Sequence, residues 1–260
     1  MFPFREDLLS GKKAIVTGGN RGLGAGCVQA LVKAGAEVAV IARNHSKYLD
    51  IMRQEGGDIS TKTTFFQADL SSSDDTATAA KKALEWAGGC VDILVNNAGV
   101  ASSAPLGELS LEQWDTTMNV NVRAPFLLTQ IVGKAMIERG MGGKIINISS
   151  LAGKMGLPNH GAYSPSKAAL DSLTRVTSAE WSKHGIQCNS VAPTVVMTEM
   201  GVLNWSDPTK SGPLLEKTPL GRFGEVHEIS HLVVYLCTRS ADLMCGQTLM
   251  MEGGISVCIT

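Results

Sequence analysis

Short runs of β-branched and other apolar residues recur along the chain and predict seven buried strands. The runs cover residues 14–17, 38–42, 64–68, 93–96, 144–148, 186–191 and 248–251. Between them, apolar residues are spaced three and four apart, as at Val28, Leu31 and Val32, which is typical of helices that bury one face. Because strands that alternate with helices require right-handed crossovers, we expect an α/β fold: a doubly wound parallel sheet with helices on both faces.

One stretch interrupts this alternation. Residues from about 194 to 221 contain Pro208, Pro213 and Pro219, which disfavour regular structure. We predict an irregular loop there and assign it to substrate binding, because long loops in compact domains are usually functional. The length of 260 residues suits one large domain, so we expect a single domain over residues 1–260 that includes this loop.

Charge and composition exclude several classes of partner. The chain has 23 Lys and Arg against 24 Asp and Glu, a formal charge of -1, so we expect no nucleic-acid partner. No apolar run approaches the ~20 residues of a membrane span, and the first residues lack the apolar stretch of a signal peptide. We therefore expect a soluble, cytoplasmic protein without a membrane partner. Its six cysteines form no C-x-x-C pair, and we expect them to be reduced and buried.

A glycine-rich segment follows the first predicted strand and precedes a helix. It reads Thr-Gly-Gly-Asn-Arg-Gly-Leu-Gly over residues 17–24. Glycines there permit a tight turn and let the backbone approach a pyrophosphate, while the helix N-terminus offers N–H groups and a positive dipole end. Within a β-α unit this predicts a dinucleotide site of the Rossmann type rather than an empty turn. The expected cofactor contacts are Gly18, Asn20, Arg21, Gly22, Leu23 and Gly24.

The end of the second predicted strand indicates which dinucleotide is bound. An acidic residue about 20 positions beyond the glycines would bind the 2′-hydroxyl of NAD, but residues 41–44 read Ile-Ala-Arg-Asn. Arg43 and Arg21 can instead form charge-assisted hydrogen bonds with a 2′-phosphate. The alternative is that both arginines are solvated surface residues. We predict that NADP(H) is the cofactor.

Tyr163 and Lys167 suggest acid–base chemistry. At positions i and i+4 they project from one face near the start of a predicted helix. An ammonium at ~4 Å and an effective dielectric constant of ~20 favours a phenolate by about 4 kcal/mol, which brings a tyrosine pKa close to neutrality. Ser150 follows the fifth predicted strand, at the carboxyl end where ligands of such sheets bind. An ordinary amphipathic helix start is the alternative reading of the tyrosine and lysine.

The order of these motifs carries a resemblance. The glycine loop, Asn-Asn-Ala-Gly at 96–99, Ser150, Tyr163 and Lys167 follow one another as in the short-chain dehydrogenase/reductase family, which the chain resembles over essentially its whole length. The resemblance implies that Ser150 and Tyr163 bind a carbonyl group and that Tyr163 donates a proton while a nicotinamide delivers hydride. It also implies that Lys167 holds the ribose hydroxyls and lowers the pKa of the tyrosine.

The resemblance implies further roles. Asn121 would keep a water in the proton relay, with Asn119 as the competing assignment, and Ser149 competes with Ser150. Thr194 replaces the glycine usual in the segment after the sixth strand, which leaves the backbone geometry of that segment open. The remaining cofactor contacts that the resemblance implies are Asp69, Leu70, Asn97, Ala98, Gly99, Tyr163, Lys167, Pro193, Val196 and Thr198.

A competing motif points to a different class of enzyme. Residues 227–231 read His-Glu-Ile-Ser-His, matching the H-E-x-x-H pattern in which two imidazoles hold zinc and the glutamate acts as base. A zinc site needs a third ligand, and beyond His231 the chain offers only the carboxylates of Asp242 and Glu252. We therefore predict paired surface histidines and no metal, with a zinc hydrolase as the alternative.

The candidate substrate pocket combines polar and apolar residues. Asn159 and His160 lie within one turn of Tyr163, Ser150 contributes its hydroxyl, and Trp205 is an apolar candidate. The chain resembles the L-xylulose (dicarbonyl) reductase branch of the family at residues 159–160, 163, 167, 169–171, 193–198, 200–201, 205–208 and 219–221. That likeness implies reversible NADPH-dependent reduction of a small polar ketone, either an L-xylulose-type sugar or an α-dicarbonyl such as diacetyl.

Other functions share this pattern. A polyol or gluconate 5-dehydrogenase and a 3-oxoacyl reductase use the same chemistry, and an NADP-binding regulator without turnover would use the same fold. The family resemblance also implies a homotetramer. The apolar ending of the chain, residues 254–260, fits a subunit interface better than an exposed tail.

Overall fold

The computed structural model describes residues 2–55 and 57–258. Seven strands form one parallel sheet: β1 (Lys13–Thr17), β2 (Glu37–Ala42), β3 (Thr63–Gln67), β4 (Ile93–Asn96), β5 (Gly143–Ile148), β6 (Ile186–Pro193) and β7 (Thr248–Met251). Their order across the sheet is β3-β2-β1-β4-β5-β6-β7. Each strand overlaps its predicted range, with bounds that differ by two residues at most. The predicted doubly wound fold is confirmed.

Helices cover both faces of this sheet. They are α1 (Gly22–Lys33), α2 (His45–Glu55), α3 (Gly57–Thr61), α4 (Ser73–Trp86), α5 (Leu111–Met118), α6 (Ala124–Arg139), α7 (Tyr163–Trp181), α8 (Glu199–Trp205), α9 (Pro208–Glu216) and α10 (Val226–Leu236). One buried apolar cluster joins the sheet to α1 and α10, and a second joins the opposite face to α4 and α6. Because both faces are covered, β1, β2 and β4 are short apolar runs rather than alternating patterns, whereas β5 and β6 also carry the buried polar residues Asn147, Asn189 and Ser190.

The strand order reverses direction between β1 and β4. At such a switch point the loops that leave the two strands diverge and open a crevice at the carboxyl ends of the strands. The glycine-rich segment follows β1, and the Asn-Asn-Ala-Gly segment begins at the end of β4. Ser150 lies two residues beyond β5, and α7 begins at Tyr163. The topology therefore brings the predicted site residues to one edge of the sheet.

The prediction of an irregular loop over 194–221 is wrong, because this stretch contains α8 and α9. The Thr198 side chain caps α8 by accepting a hydrogen bond from the Gly201 amide at 3.1 Å. Asp207 caps α9 in the same way, and Pro208 occupies its first position, where a missing N–H group costs nothing. Pro213 lies inside α9 and removes one helical hydrogen bond. The prolines mark helix starts here as well as breaks.

Two expectations from composition meet a mixed outcome. Cys27, Cys188 and Cys237 are buried free thiols as expected, whereas Cys258 is exposed and the other two cysteines are partly buried. No helix within the described ranges is both long and apolar enough to cross a membrane. Of the apolar ending, Ile259 and Thr260 lie outside the described residues.

Candidate active site

A cavity of about 1040 Å³ opens at the switch point. Its walls come from the loops that follow β1, β2, β3 and β4 and from the start of α8. The predicted cofactor residues that line it are Gly18, Asn20, Arg21, Gly22, Leu23, Gly24, Arg43, Asp69, Leu70, Asn97, Ala98, Gly99 and Thr198. The predicted contacts Tyr163, Lys167, Pro193 and Val196 lie outside this lining. The structure therefore gathers most of the predicted nucleotide contacts around one cavity, and Tyr163 and Lys167 lie outside its lining.

Close backbone approaches shape the glycine-rich loop. Gly18 has φ +64° and Gly22 has φ +52°, a region that L side chains rarely adopt. A Cβ on Gly24 would lie 2.3 Å from the Gly18 carbonyl oxygen and 2.4 Å from the Asn97 side-chain nitrogen. Asn97 itself donates from that nitrogen to the carbonyl of Thr17 at 2.9 Å. The loops after β1 and β4 are thus joined through positions where only glycine fits.

The N-terminus of α1 is free to bind an anion. Arg21 occupies its N-cap without forming a side-chain cap hydrogen bond, and the first turn holds no acidic residue. The first N–H groups of a helix have no partner within the helix, and the dipole gives this end a partial positive charge. A phosphate group would satisfy these amides, and the residues that carry them line the cavity.

Positive charge is concentrated at the β2 end of the cavity. Arg21 and Arg43 line it, and so does Lys47 in the first turn of α2, which the sequence analysis missed. These three cations form no ion pair with any residue in the described part of the chain. The signal for Lys47 was present in the basic run that follows β2. Three unpaired cations in one cavity favour a ligand with more negative charge than a pyrophosphate alone.

Asp69 supplies a carboxylate to the same cavity, near enough to Arg43 for the two charges to interact. Its Oδ1 accepts hydrogen bonds from the amide of Ser71 at 2.9 Å and from the hydroxyl of Ser71 at 2.8 Å. These bonds hold the pKa of Asp69 below its ordinary value. The carboxylate is therefore fixed in position and ionised, as a hydrogen-bond acceptor beside a nucleotide base needs to be.

Ser150, Tyr163 and Lys167 converge beyond the end of β5. The hydroxyl of Ser150 accepts a hydrogen bond from the Ala152 amide at 3.1 Å, which caps a short 3-10 turn. Lys167 is buried, and its ammonium nitrogen donates to the carbonyl of Ile148 at 2.8 Å. That nitrogen lies 5.6 Å from the centre of the Tyr163 ring. The competing Ser149 is buried and donates to the main chain of Lys167, so Ser150 is the more accessible serine.

Asn121 lies in a π-helical turn, Asn119–Arg123, between α5 and α6. Its fully buried amide group accepts from the Val100 N–H and donates to the Val100 carbonyl, both at 2.9 Å. It also donates to the hydroxyl of Ser166 at 3.0 Å, and Ser166 donates to the carbonyl of Tyr163 at 2.7 Å. Asn121 therefore ties the loop after β4 to the first turn of α7. Turns of this kind are frequent at functional sites.

The charge state of the catalytic pair differs from the sequence-based expectation. Burial raises the pKa of Tyr163, and a hydrogen bond with Ser150 opposes that effect. Burial also lowers the pKa of Lys167 to about 8, while the Asp171 carboxylate acts to raise it. The expected tyrosine pKa near neutrality is therefore wrong for this arrangement. It counted the ammonium charge and left out the cost of removing both groups from water.

Two of the predicted substrate residues border Tyr163. The ring of His160 lies edge-on to the Tyr163 ring with centres 5.9 Å apart, and its Nδ1 lies 2.7 Å from the Pro158 carbonyl oxygen. Asn159 has φ +65°, and it is the one non-glycine residue in the described ranges with a positive φ. Trp205 packs edge-on against Phe223, with ring centres 5.7 Å apart. Its predicted role as a pocket wall stays a prediction.

The segment after β6 adopts ordinary backbone geometry despite its threonine. Thr194 has a negative φ, and its amide donates to the Met251 carbonyl at 3.2 Å, so the segment follows β7. Val196 forms an isolated bridge with Gly224, and Thr198 continues into the cavity wall. The change from glycine therefore leaves this segment anchored on both sides.

The H-E-x-x-H segment forms the start of α10, and its glutamate has a structural role. Glu228 accepts two hydrogen bonds from Arg222, each at 2.8 Å, and another from the Glu225 amide at 2.8 Å. The ring of His231 packs against Phe2 and Phe4. Among the residues that the structure describes, no three His, Cys, Asp or Glu side chains are grouped so that they could hold a metal ion.

Comparison with known proteins identifies the class. A family model described as short chain dehydrogenase matches residues 12–208. An L-xylulose reductase from Mus musculus is 40% identical over 246 residues, which cover 95% of this chain and 97% of the relative. A D-threitol dehydrogenase from Mycolicibacterium smegmatis is 38% identical and covers 98% of this chain and 96% of its own. The structure of a gluconate 5-dehydrogenase from Burkholderia cenocepacia, in complex with NADP and tartrate, has a TM-score of 0.89 at 33% identity and covers 98% of both chains.

The chain therefore belongs to the short-chain dehydrogenase family. Like its relatives it is an oxidoreductase that acts on alcohols or ketones and uses a nicotinamide cofactor. The resemblance drawn from the motif order, and the likeness to L-xylulose reductases, are confirmed.

Proposed function

We propose that this protein catalyses the reversible, NADPH-dependent reduction of a small polar ketone to the alcohol, with Tyr163 as the acid–base residue. An L-xylulose-type sugar or a small α-dicarbonyl is the proposed substrate. The observation that carries the proposal is the convergence of Ser150, Tyr163 and Lys167 beside a cavity that is lined with glycines and unpaired cations.

The residues present suit NADP(H). The backbone at Gly24 leaves no room for a Cβ, the first turn of α1 is uncapped, and Arg21, Arg43 and Lys47 supply positive charge for a 2′-phosphate. When bound, this cofactor supplies hydride to the carbonyl carbon. The structure of a gluconate 5-dehydrogenase with NADP supports the same choice by similarity.

The catalytic side chains would handle the proton. The hydroxyls of Ser150 and Tyr163 bind the carbonyl oxygen, and the tyrosine transfers its proton to that oxygen as the carbon accepts hydride. Because burial raises the pKa of Tyr163, the phenol is protonated at neutral pH, which is the state that reduction requires. Lys167 provides positive charge one helical turn away, which stabilises the phenolate left after proton transfer.

The proposed substrate class depends on the names of relatives and on the polar groups near Tyr163. The relatives include an L-xylulose reductase, a D-erythrulose reductase and a D-threitol dehydrogenase, which all act on short polyhydroxylated carbon chains by name. His160, held against Tyr163 and Pro158, provides a ring nitrogen for a substrate hydroxyl. The gluconate 5-dehydrogenase structure makes a sugar acid the second candidate.

The test is a screen of NADPH consumption with pentuloses, tetruloses, diacetyl, 5-ketogluconate and β-ketoacyl esters. We expect the highest kcat/KM with an L-xylulose-type sugar or a dicarbonyl, and a fall of about 10²- to 10⁴-fold in kcat for Tyr163→Phe. NADPH binding, measured by nucleotide fluorescence, should persist in that variant. Turnover unaffected by Tyr163→Phe would overturn the assigned acid, and NADPH binding without turnover of any compound would favour a regulator.

We also propose that the chain acts as one domain and assembles as a homotetramer. The support is the family resemblance together with exposed apolar side chains on α6 and α7, namely Phe126 and Val176, and Val257 near the end of the chain. Light scattering at working concentration tests this, because a monomer would contradict it.

A further inference from the structure

Asp171 is a buried carboxylate on the helix that carries the proposed catalytic pair. It lies one turn beyond Lys167 on α7, and the two residues are 7% and 3% exposed. Residues four apart on a helix lie on the same face, about 5–6 Å apart at Cβ. Buried acids and bases are rare unless they interact, because each loses its hydration. Lys167 and Asp171 are therefore placed to act on each other.

Contacts from two other elements fix the Asp171 side chain. Its Oδ1 accepts a hydrogen bond from the hydroxyl of Ser190 on β6 at 2.7 Å. Its Oδ2 is close to Gly153, which lies in the 3-10 turn that begins after Ser150. A Cβ added to Gly153 would lie 2.9 Å from that oxygen. The carboxylate is thus wedged between the strand, the catalytic helix and the turn that Ser150 caps. No cation lies within ion-pair distance of it in the described ranges.

Asp171 is the negatively charged group near Lys167, because the other groups that face this turn of α7 are neutral or bound elsewhere. Ser190 and Asn121 are neutral, and the Cys188 thiol on β6 is neutral because burial raises its pKa to about 12. Tyr163 is the partner in the proposed chemistry. The charged or titratable residues on elements packed against α7, and on α7 itself, are exposed or bound elsewhere. They are Glu112, Asp115, Arg123, Lys134, Glu138, Arg139, Lys144, Lys154, Arg175, Glu180, Lys183 and His184.

We propose that Asp171 is a positioning residue whose carboxylate keeps the buried Lys167 side chain in its charged ammonium form beside Tyr163. Asp171 does not line the cofactor cavity, and its charge acts on the pair through Lys167. Burial pulls Lys167 toward the neutral amine, and the carboxylate opposes that pull. The inference rests on the proposed acid–base role of Tyr163 and adds the residue that sustains it.

The sign of the expected effect follows from charge. Removing a negative charge lowers the pKa of every neighbouring group, so Asp171→Asn should release protons from the Tyr163–Lys167 pair at lower pH. Reduction needs both groups protonated. The alkaline limb of kcat/KM for NADPH-dependent reduction should therefore move down by about 0.5–1 pH unit, with a rate about three- to tenfold lower above the limb. Below the limb the rates should agree within about twofold.

Two controls separate charge from structure. Glu180→Gln removes a negative charge from an exposed position on the same helix, and Ser190→Ala removes the hydrogen bond while it keeps the carboxylate. Neither should move the limb. Asp171→Ser is a second neutral variant and should shift the limb as far as Asp171→Asn, whatever its loss of thermal stability. Phenolate absorbance near 295 nm, referenced to Tyr163→Phe, should report the same downward shift without turnover.

The outcomes separate failure of the Asp171 inference from failure of the proposed function on which it rests. If Tyr163→Phe retains the wild-type rate, the proposed function fails and the role of Asp171 with it. If Tyr163→Phe loses the rate while both neutral Asp171 variants keep the wild-type limb, only the Asp171 inference is overturned. Failure of both neutral variants to fold would assign the carboxylate to stability and would also overturn it.

Discussion

The predicted nucleotide half and the predicted catalytic half of the site differ in the groups that form them. The nucleotide half, around the loops after β1 and β4, is made of main chain: Gly18 and Gly22 at positive φ, Gly24 against the Gly18 carbonyl, and the uncapped amides of α1. The catalytic half is made of side chains that are removed from water. There Lys167 and Asn121 are buried and bonded to protein groups.

This difference determines what each half tolerates. The close glycine contacts make the nucleotide half sensitive to a single added carbon atom, and the cations that line it make it sensitive to the loss of a charge. Buried side chains act through hydroxyl groups and charge, so the other half responds to the loss of a hydroxyl or a charge even where the shape of the side chain is kept. The predictions below set steric change in one half against electrostatic change, in descending order of expected effect.

Gly24→Ala should have the largest effect. The new Cβ would lie 2.3 Å from the Gly18 carbonyl oxygen, a contact that forces the loops after β1 and β4 apart. Overpacking of this kind costs about 1–3 kcal/mol of stability and also displaces the amides that hold the pyrophosphate. We expect the Kd for NADPH, measured by fluorescence titration, to rise by about 100-fold or more.

The control is Gly107→Ala. Gly107 has no atom within 4 Å of an added Cβ, so the same chemical change should leave both nucleotide binding and the melting temperature unchanged. Wild-type NADPH affinity in Gly24→Ala would contradict the view that close backbone contacts build this half.

These two halves were not equally visible in the sequence. The strands and the glycine loop were predicted because apolar runs and glycine spacing report local geometry directly. The pKa directions were missed because burial of Tyr163 depends on the packing of the whole fold, which spacing along one helix does not reveal. The π-helical turn that holds Asn121 likewise depends on tertiary contacts with Val100 and Ser166.

The helices α8 and α9 were missed for another reason. The three prolines of this stretch favour irregular structure, but Thr198 and Asp207 are residue types that cap helices, and Pro208 is suited to the first helical position. Lys47 could also have been predicted as a cavity residue. It lies four residues after Arg43, in the first turn of α2, whose start faces the cavity.

Arg43→Ala should have an intermediate effect that is confined to one nucleotide. Arg43 lines the cavity and forms no ion pair in the described ranges, so its positive charge is available to a 2′-phosphate. Removing a charge-assisted contact of this kind should lower kcat/KM with NADPH by about 10- to 100-fold and change kcat/KM with NADH by less than about twofold. Steady-state kinetics with both nucleotides measures the ratio.

Arg53→Ala serves as the matched control. Arg53 is an exposed arginine on α2 that pairs with Asp50, outside the cavity, and its loss should leave the nucleotide ratio unchanged. An equal fall with NADPH and NADH in Arg43→Ala would mean that the residue supports the fold or the pyrophosphate, and the predicted preference for NADP(H) would lose its main support.

Glu228→Gln should have the smallest effect, a small loss of stability. It tests whether the ion pair at the start of α10 stabilises the helix that packs against α1. Glu228 closes the start of α10 through Arg222 and the Glu225 amide, and α10 packs so closely on α1 that a Cβ on Gly26 would lie 2.2 Å from the Val226 side chain. The Arg222 bonds lower the pKa of Glu228 to about 2, below its ordinary value of 4.5.

A carboxyl group whose pKa is lowered by folding stabilises the folded protein at pH values above the pKa of the unfolded state. That stabilisation is lost as the pH falls through the pKa of the folded state. The pair is partly exposed, so we expect a loss of only about 1 kcal/mol, or 2–4 °C in melting temperature, at neutral pH. The gap between wild type and variant should close between pH 4.5 and pH 2, whereas Glu216→Gln, at an exposed position on α9, should show no gap at any pH. A gap that stays constant with pH would show that the glutamate acts through shape, and the electrostatic account of this support would fail.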